Sequence, residues 1–324
     1  MTKGIAIIDG DILAYRSAAA NTRRFVTAIH NETLEEHEFP TATAFKEWAG
    51  SKADKYSLTP GQEADSLGLA IGNMKRSIES ITKGAKCDSY HIVVSGKDNF
   101  RLNLPLPTRY KSNRDDAMRP PQLGDCKDYL VNKLGAEVSR GVEADDVLCS
   151  YAYQGYKEGN YVVQCSIDKD AHHGPWWLYD WTTMKEPKLI EGFGDIELVV
   201  YTSGVNTSKV VKGFGRKFLY CQMVLGDPVD GYKPSEIAKA RFGAAGAYKL
   251  LKNAKNDKEA LEAIVKQYKS WYPSELAYEA WDGAKYTTDW LNILQMYADC
   301  AFMRRWEGDR LDVKKTLDKL GVKY

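Results

Sequence analysis

The chain has 324 residues, 44% of them apolar and 27% charged. At roughly 150 residues per domain this suggests about two compact units and argues against wholesale disorder. No apolar run approaches the roughly 20 residues of a membrane helix, and the start reaches Asp9 and Asp11 too early for a secretory signal, so a cytoplasmic protein with no membrane partner is expected. The net charge of +1 divides unevenly. Residues 1–200 carry 24 Lys and Arg against 29 Asp and Glu, and residues 201–324 carry 21 against 15. An acidic half followed by a basic half suits an acid or metal cluster in the first and a polyanion-facing surface in the second, although scattered solvated charge gives the same numbers. The six cysteines (Cys87, Cys126, Cys149, Cys165, Cys221 and Cys300) include no Cys-x-x-Cys pair and read as reduced, mostly buried thiols.

In chain order, residues 4–9, 91–95 and 161–167 are short β-branched runs that each end at a polar or acidic residue, as strands of a parallel sheet do. Residues 25–30 and 35–39, around Asn31-Glu32, predict an inserted hairpin. Helical patterns cover 42–55, 63–83, 123–134 and 143–155; in the second, Leu67, Leu69, Ile71, Met74, Ile78 and Ile81 recur every three or four residues. After a run at 196–201 the patterns turn mainly helical, at 245–251, 259–268, 288–303 and 311–320. The Pro-rich, basic segment 104–121 exceeds the about 12–15 residues beyond which a connection is usually functional. We expect an α/β domain over 1–200 and a mainly helical region over 201–324.

The acids fall where such a fold gathers ligands. Asp9 and Asp11 follow the first strand, and Asp168 and Asp170 follow another in Ser-Ile-Asp-Lys-Asp. Glu143, Asp145 and Asp146 open a helix in Val-Glu-Ala-Asp-Asp-Val, and Asp227 and Asp230 lie in Gly-Asp-Pro-Val-Asp-Gly. Ligands of a parallel sheet collect outside the carboxyl ends of its strands, so these groups are expected to converge in one crevice. So many carboxylates in a partly buried cleft need cations, and an all-oxygen set suits Mg²⁺ or Mn²⁺ over Zn²⁺. Two such ions about 4 Å apart activate water and steady the leaving oxygen of a phosphodiester. Each acid alone is equally a strand end, a helix cap or a turn.

A shorter match competes. Ile7-Ile8-Asp9-Gly10-Asp11 resembles the nucleophile motif of haloacid-dehalogenase-type phosphatases, in which Asp9 would be the covalent nucleophile. That reading leaves the 143–146 and 168–170 clusters without work.

Taken together, Ile8-Asp9-Gly10-Asp11, Phe100-Arg101, Tyr110-Lys111-Ser112-Asn113-Arg114, Val142-Glu143-Ala144-Asp145-Asp146-Val147, Asp168-Lys169-Asp170 and Gly226-Asp227-Pro228-Val229-Asp230-Gly231 resemble, in order, the motifs of the 5′-nuclease superfamily. This is the family of flap endonucleases, polymerase-associated 5′ nucleases and small phage 5′→3′ exonucleases, the last being the most similar. The resemblance spans about residues 5–250. It implies a PIN-like parallel-sheet core with a helical arch over about 101–122, and a helix–three-turn–helix over about 226–254.

The activity it implies is Mg²⁺-dependent, structure-specific 5′ hydrolysis of DNA in phage-type replication or recombination. The substrates would be branched, nicked or 5′-ended duplex DNA, with RNA–DNA hybrids and replication proteins as further partners. Asp9, Glu143 and Asp145 would serve the first ion, with Asp146 beside them. Asp168, Asp170, Asp227 and Asp230 would serve the second. Lys111 and Arg114 would reach the scissile phosphate, and Tyr110 and Arg101 would meet the nucleic acid. Arg241 to Leu250 resembles the family's helix–three-turn–helix, so Gly243, Gly246 and Lys249 would grip duplex phosphates, with a K⁺ site in that loop. Lys212, Arg216 and Lys217 form a second basic candidate.

One departure stands out. The family places an Asp at the end of the strand before Phe-Arg, where this chain has Ser95-Gly96 and Asp98 as its nearest acid. Either Asp98 reaches in from a reshaped loop or the position lacks a carboxylate; Asp11 is a second outer candidate. A DNA-junction binding protein with a decayed metal site is the non-enzymatic alternative.

Overall fold

The computed structural model describes residues 4–204, 206–272 and 274–324. It comprises two units. One holds the chain up to Asp9, Ile81–Ala117 and Glu137–Tyr324; the other holds Gly10–Ser80 and Met118–Ala136. Residues on both sides of position 200 thus fall in the larger unit.

In the first half of the chain the order is β1 (Ile5–Asp9), α1 (Gly10–Ala20), β2 (Thr22–His30), β3 (Glu36–Phe39), α2 (Ala42–Ala49), β4 (Tyr56–Ala64), α3 (Leu67–Gly84), β5 (Ser89–Val94), α4 (Leu123–Leu134), β6 (Glu137–Val138) and α5 (Ala144–Glu158). Then follow β7 (Val162–Cys165), β8 (Trp176–Tyr179), β9 (Lys188–Ile190), β10 (Asp195–Ser203), β11 (Asn206–Phe214) and α6 (Gly215–Leu225). The chain closes with α7 (Ala244–Leu251), α8 (Asp257–Trp271), β12 (Leu276–Glu279), β13 (Lys285–Thr288), α9 (Trp290–Ala301) and α10 (Val313–Leu320).

The larger unit is built on a six-stranded sheet in the order β6-β5-β1-β7-β8-β9, parallel except for β9. Its central strand Ile-Ala-Ile-Ile-Asp is buried from Ala6 to Asp9, as befits a strand covered on both faces. From β1 the chain moves outward through β5 and β6, then returns to the other side of β1 with β7. The strand order therefore reverses between β1 and β7, and an open α/β sheet presents its ligand crevice at such a switch point. Asp9 ends one of these strands, and Ser166 directly follows the other.

A second core joins the helices of the C-terminal half. Phe218, Val224, Leu261, Ile264, Tyr268, Leu294 and Tyr297 pack together with Leu106 and Tyr110. Side chains start three of these helices: Asn256, Asp289 and Asp312 accept from the amides of Glu259, Asn292 and Lys315 at 2.8–3.0 Å. In the smaller unit β3, β2 and β4 form an antiparallel sheet.

The α/β sheet and the hairpin over β2 and β3 follow the sequence reading. Strands β8, β9, β12 and β13 were not expected, and three further elements differ. Strand β4 carries Pro60 and Gly61 against its propensity; it lies at the sheet edge, where a missing N–H is tolerated. β10 continues into β11 as a nine-residue antiparallel pairing, not into a helix. Residues 101–122, expected in a helical arch, form helix only in the short turns Phe100–Asn103 and Ser112–Arg114, and Lys111 before the second has a left-handed φ of 59°. Pro105 and Pro107 remove amide donors here, and no apolar stripe is available to stabilise a longer helix. Trp176 is buried in the core, its indole donating to the Ala171 carbonyl at 2.8 Å. All six cysteines are free thiols.

Candidate metal centre

The two strands at the switch point are tied at their ends: the Ser166 hydroxyl donates to Asp9 Oδ2 at 3.0 Å. The same hydroxyl accepts the Asp168 amide at 3.1 Å, and Asp168 Oδ1 accepts the Asp170 amide at 2.9 Å. A short turn of helix over Lys169–His173 thus carries Asp168 and Asp170 to the carboxyl end of the sheet.

Helix α5 delivers the next acids. Glu143 is its N-cap, and Asp146 three residues on accepts the Glu143 amide at 3.1 Å. The Ala144 amide donates to Ser95 Oγ at 3.1 Å, so the residue that follows β5 fixes the helix start. Asp146 is buried, and Arg101 clamps it in a two-pronged pair at 2.6 and 3.0 Å. Burial pushes the Asp146 carboxyl up, but the guanidinium beside it wins and holds it below the usual carboxylate value.

The third group comes from the loop after α6. Gly226, at φ 83°, opens this turn, where a Cβ would lie 2.4 Å from the Tyr232 carbonyl oxygen. Asp227 pairs with Tyr232 through two backbone hydrogen bonds, and its Oδ1 accepts the Val229 amide at 2.8 Å. Carboxylate oxygens of Asp170, Asp227 and Asp230, all buried, lie within 4.8 Å of one another. Gln222 on α6 donates to Asp170 and is itself joined to His173, whose imidazole burial pushes down to about 3 and so keeps neutral.

Cations close the site. Lys111 pairs with Glu143 and lies 3.5 Å from Asp230, Arg114 pairs with Asp230 at 2.7 Å, and Lys169 pairs with Asp227. Burial opposes the charge on Lys111, yet Glu143 and Asp230 raise its pKa above the ordinary lysine value. The segment bearing Lys111 is docked on the acidic loop: the Lys111 amide donates to the Asp230 carbonyl at 2.8 Å, and Asn113 donates to the Pro228 carbonyl at 2.9 Å.

The remaining charge is strongly negative. Burial, then Asp9 and Asp168, raise Asp145 well above the usual carboxylate value; burial, then Asp168 and Asp230, do the same to Asp170. Burial also raises Asp168, although the Asp170 amide pulls the other way. Asp9, Glu143, Asp145, Asp168, Asp170, Asp227 and Asp230 thus interact with one another and with the cations Arg101, Lys111, Arg114 and Lys169. A hard divalent cation fits this all-oxygen donor set and relieves the repulsion that the raised carboxyls record.

Not every candidate from the sequence lies here. Asp98 is exposed and accepts the Gly141 amide at 3.2 Å, so it does not replace the carboxylate absent at Ser95. Asp11 belongs to the smaller unit, where it pairs with Lys127 at 2.6 Å. Arg101 and Tyr110, expected at the nucleic acid, lie in the interior because buried carboxylates occupy their polar groups. Lys217 is likewise buried, donating to Asp195 at 2.8 Å and to the Lys252 carbonyl at 3.0 Å. Arg216 makes a two-pronged pair with Asp257 at 2.7 and 2.9 Å, while Lys212 is exposed over the Tyr201 ring. Gly243 caps α7, Gly246 lies in its first turn, and Lys249 is exposed near its end. Sequence reasoning missed Ser166, Gln222 and the backbone of 300–304; Lys169 was visible in the Asp-Lys-Asp motif.

No family model and no curated protein matches the chain. Among solved structures it is similar to the bacteriophage T5 D15 protein co-crystallised with metal ions, at 14% identity and a TM-score of 0.49, covering 98% of this chain and 97% of that one. It is similar to T5 5′-exonuclease with bound zinc at 18% identity and a TM-score of 0.45, covering 92% and 85%. It is also similar to a variant T5 D15 flap endonuclease in a pseudo-enzyme–product complex with DNA and metal ions, at 14% identity and 0.49, covering 99% of each chain. Among the described residues, no helix is long and apolar enough to cross a membrane.

Proposed function

We propose that this chain is a divalent-metal-dependent 5′ nuclease acting on DNA, a 5′→3′ exonuclease or flap endonuclease of the 5′-nuclease superfamily. The observation that carries the reading is the convergence of buried carboxylates at the β1/β7 switch point, with Lys111 and Arg114 at its edge. The motif order from Asp9 to Gly231 supports the same reading.

Asp9, Glu143 and Asp145 would hold one ion, and Asp168, Asp170, Asp227 and Asp230 the other, with Mg²⁺ the ion of choice and Mn²⁺ its substitute. Such ions, when bound, activate water and neutralise charge on the departing oxygen. Lys111 and Arg114 would bind the phosphate being cut, a point charge and a planar fork for its oxygens. Ser166 and Gln222 orient Asp9 and Asp170, so the donor oxygens are set before substrate arrives. Residues 201–324 would hold duplex DNA. The start of α7 at Gly243 and Gly246 would present amides to phosphates, with K⁺ as a candidate ligand of that loop. Lys249 and Lys212 would add exposed positive charge, which DNA attracts in a salt-dependent way. A role in phage replication, and action on RNA–DNA hybrids beside replication proteins, belong to the same proposal.

The test is one gel with 5′-labelled flap, nicked and single-stranded DNA, each with Mg²⁺ or EDTA. Mg²⁺-dependent release of 5′ fragments, with a preference among the three, is expected. Intact substrates in Mg²⁺ would overturn the proposal.

A further inference from the structure

We infer that Asp146 is a positioning residue and not a metal ligand: with Arg101 it forms a buried interlock through which residues 300–304 hold the start of α5, and with it Glu143 and Asp145. The inference rests on the metal-centre reading above.

Asp146 has no oxygen to spare for an ion. Oδ1 accepts from Arg101 Nη2 at 3.0 Å and from the Arg304 amide at 2.9 Å. Oδ2 accepts from Arg101 Nη1 at 2.6 Å and from the Glu143 amide at 3.1 Å. Arg101 is fully buried, and its other protons go to the backbone of the C-terminal region, Nε to the Cys300 carbonyl at 3.0 Å and Nη2 to the Phe302 carbonyl at 2.8 Å. Nη1 also reaches Glu143 Oε2 at 3.4 Å. A metal at Asp146 would have to displace this guanidinium and leave it buried without a counter-charge, a costly exchange. The pair instead clamps the first turn of α5, where Asp145 is next to Asp146 and Glu143 is bonded to it directly. Segment 300–304 thereby helps to position the metal-centre acids, through its backbone and through the Met303 sulfur, which lies 3.8 Å from Arg101 Nη2.

The experiment compares wild type, Asp145→Asn, Asp146→Asn, Arg101→Lys and the double variant Arg101→Lys/Asp146→Asn in the full chain. Ca²⁺ binding is followed by calorimetry, and single-turnover cleavage of a 5′-flap in saturating Mg²⁺ is measured well below each melting temperature. Asp145→Asn should lose a bound ion or at least about tenfold in Ca²⁺ affinity, the lower bound for disturbing a metal's supporting shell. Asp146→Asn and Arg101→Lys should keep the number of ions while lowering the cleavage rate about tenfold or more, and the double variant should be no slower than the worse single one, since the two act as a unit. Should Asp146→Asn not fold, Arg101→Lys carries the same comparison. Loss of an ion by Asp146→Asn, or wild-type cleavage by both single variants, overturns the interlock. A wild-type chain that binds Ca²⁺ and cleaves the flap while Asp146→Asn behaves as Asp145→Asn overturns only this inference; a wild-type chain that binds no divalent ion overturns both.

Discussion

The Tyr110 hydroxyl donates to Asp230 Oδ2 at 2.7 Å from a fully buried ring, with Glu143 Oε2 also within hydrogen-bond distance at 3.1 Å. One neutral donor therefore joins the acid that caps α5 to the acid that ends the Gly-Asp-Pro-Val-Asp-Gly loop. Burial, then Glu143 and Asp230, raise the phenol well above its ordinary pKa, so it remains a donor at any working pH. Tyr110→Phe keeps the packing and removes the donor. The metal-free protein should lose about 1–3 kcal/mol, the cost of leaving a buried polar group unmet. Urea melts in EDTA measure this. An unchanged midpoint would mean that the hydroxyl is not bonded in solution.

The raised carboxyls predict how stability depends on pH and metal. Asp145, Asp168 and Asp170 bind protons more tightly folded than unfolded, chiefly through burial. Without metal, their contribution to stability is fully present below the ordinary carboxylate value of about 4 and is lost as pH rises through the raised values. Asp146 has the opposite sign, its contribution being lost only as pH falls below about 4. Asp170→Asn should therefore raise the EDTA melting temperature at pH 7 and flatten its fall as pH rises from about 4 to 7, relative to wild type. Scanning calorimetry of the two proteins across that range decides it. A variant that melts lower than wild type in EDTA at pH 7 contradicts the crowding.

Millimolar Mg²⁺ should raise the wild-type melting temperature without DNA, because an ion that binds only the folded state stabilises it by mass action. At a hundred times its dissociation constant this amounts to about 2.7 kcal/mol. Asp170→Asn should respond much less. Melting curves that are the same in EDTA, Mg²⁺, Mn²⁺ and Ca²⁺ would count against a metal centre.

The acids were legible before the fold because residue type and chain order are printed in the sequence. Asp9 ends β1 and Asp168 and Asp170 follow β7, where a parallel sheet gathers ligands, and Asp227 and Asp230 join Asp170 from the loop after α6. What escaped is what backbone supplies. The carbonyls of Cys300 and Phe302 that hold Arg101 have no side-chain signature and lie about two hundred positions away from it. Tyr110 and Arg101 looked like contacts for nucleic acid, and only packing against α9 and the acidic loop shows them to be interior. Lys217 misled for the same reason: a lysine reads as surface until Asp195 and a helix-end carbonyl are found around its ammonium. The strand pairing of β10 with β11 was hidden because Lys212 on β11 suggested a basic surface, whereas register depends on the partner strand.

Asp145→Ala and Asp168→Ala should each abolish cleavage while leaving DNA affinity, measured in Ca²⁺, within about tenfold of wild type, because acids that serve metals serve the chemical step. The two sit at different groups of the centre, one on α5 and one after β7. Robust cleavage by either in Mg²⁺ would remove that group from the mechanism.

The final prediction separates the rim of the metal centre from the helical half. Lys111 is partly exposed and is paired with Glu143, with Asp230 close by. A phosphate entering the site would meet it where charge grows as the bond breaks, so its interaction should strengthen in the transition state. Lys111→Ala should then lower the single-turnover rate by roughly 10²-fold or more, the scale of losing one well-placed donor. Lys249 is exposed on α7, whose first turn holds Gly246, and has no part in the acidic cluster. Lys249→Ala should weaken duplex binding and flatten its dependence on salt, because one fewer counterion is released. Its rate at saturating enzyme should stay close to wild type. Both variants are measured on one 5′-flap substrate, with affinity in Ca²⁺ and rate in Mg²⁺. If Lys111→Ala alters affinity alone, or Lys249→Ala alters rate alone, the DNA does not cross the protein from α7 to the metal centre as proposed.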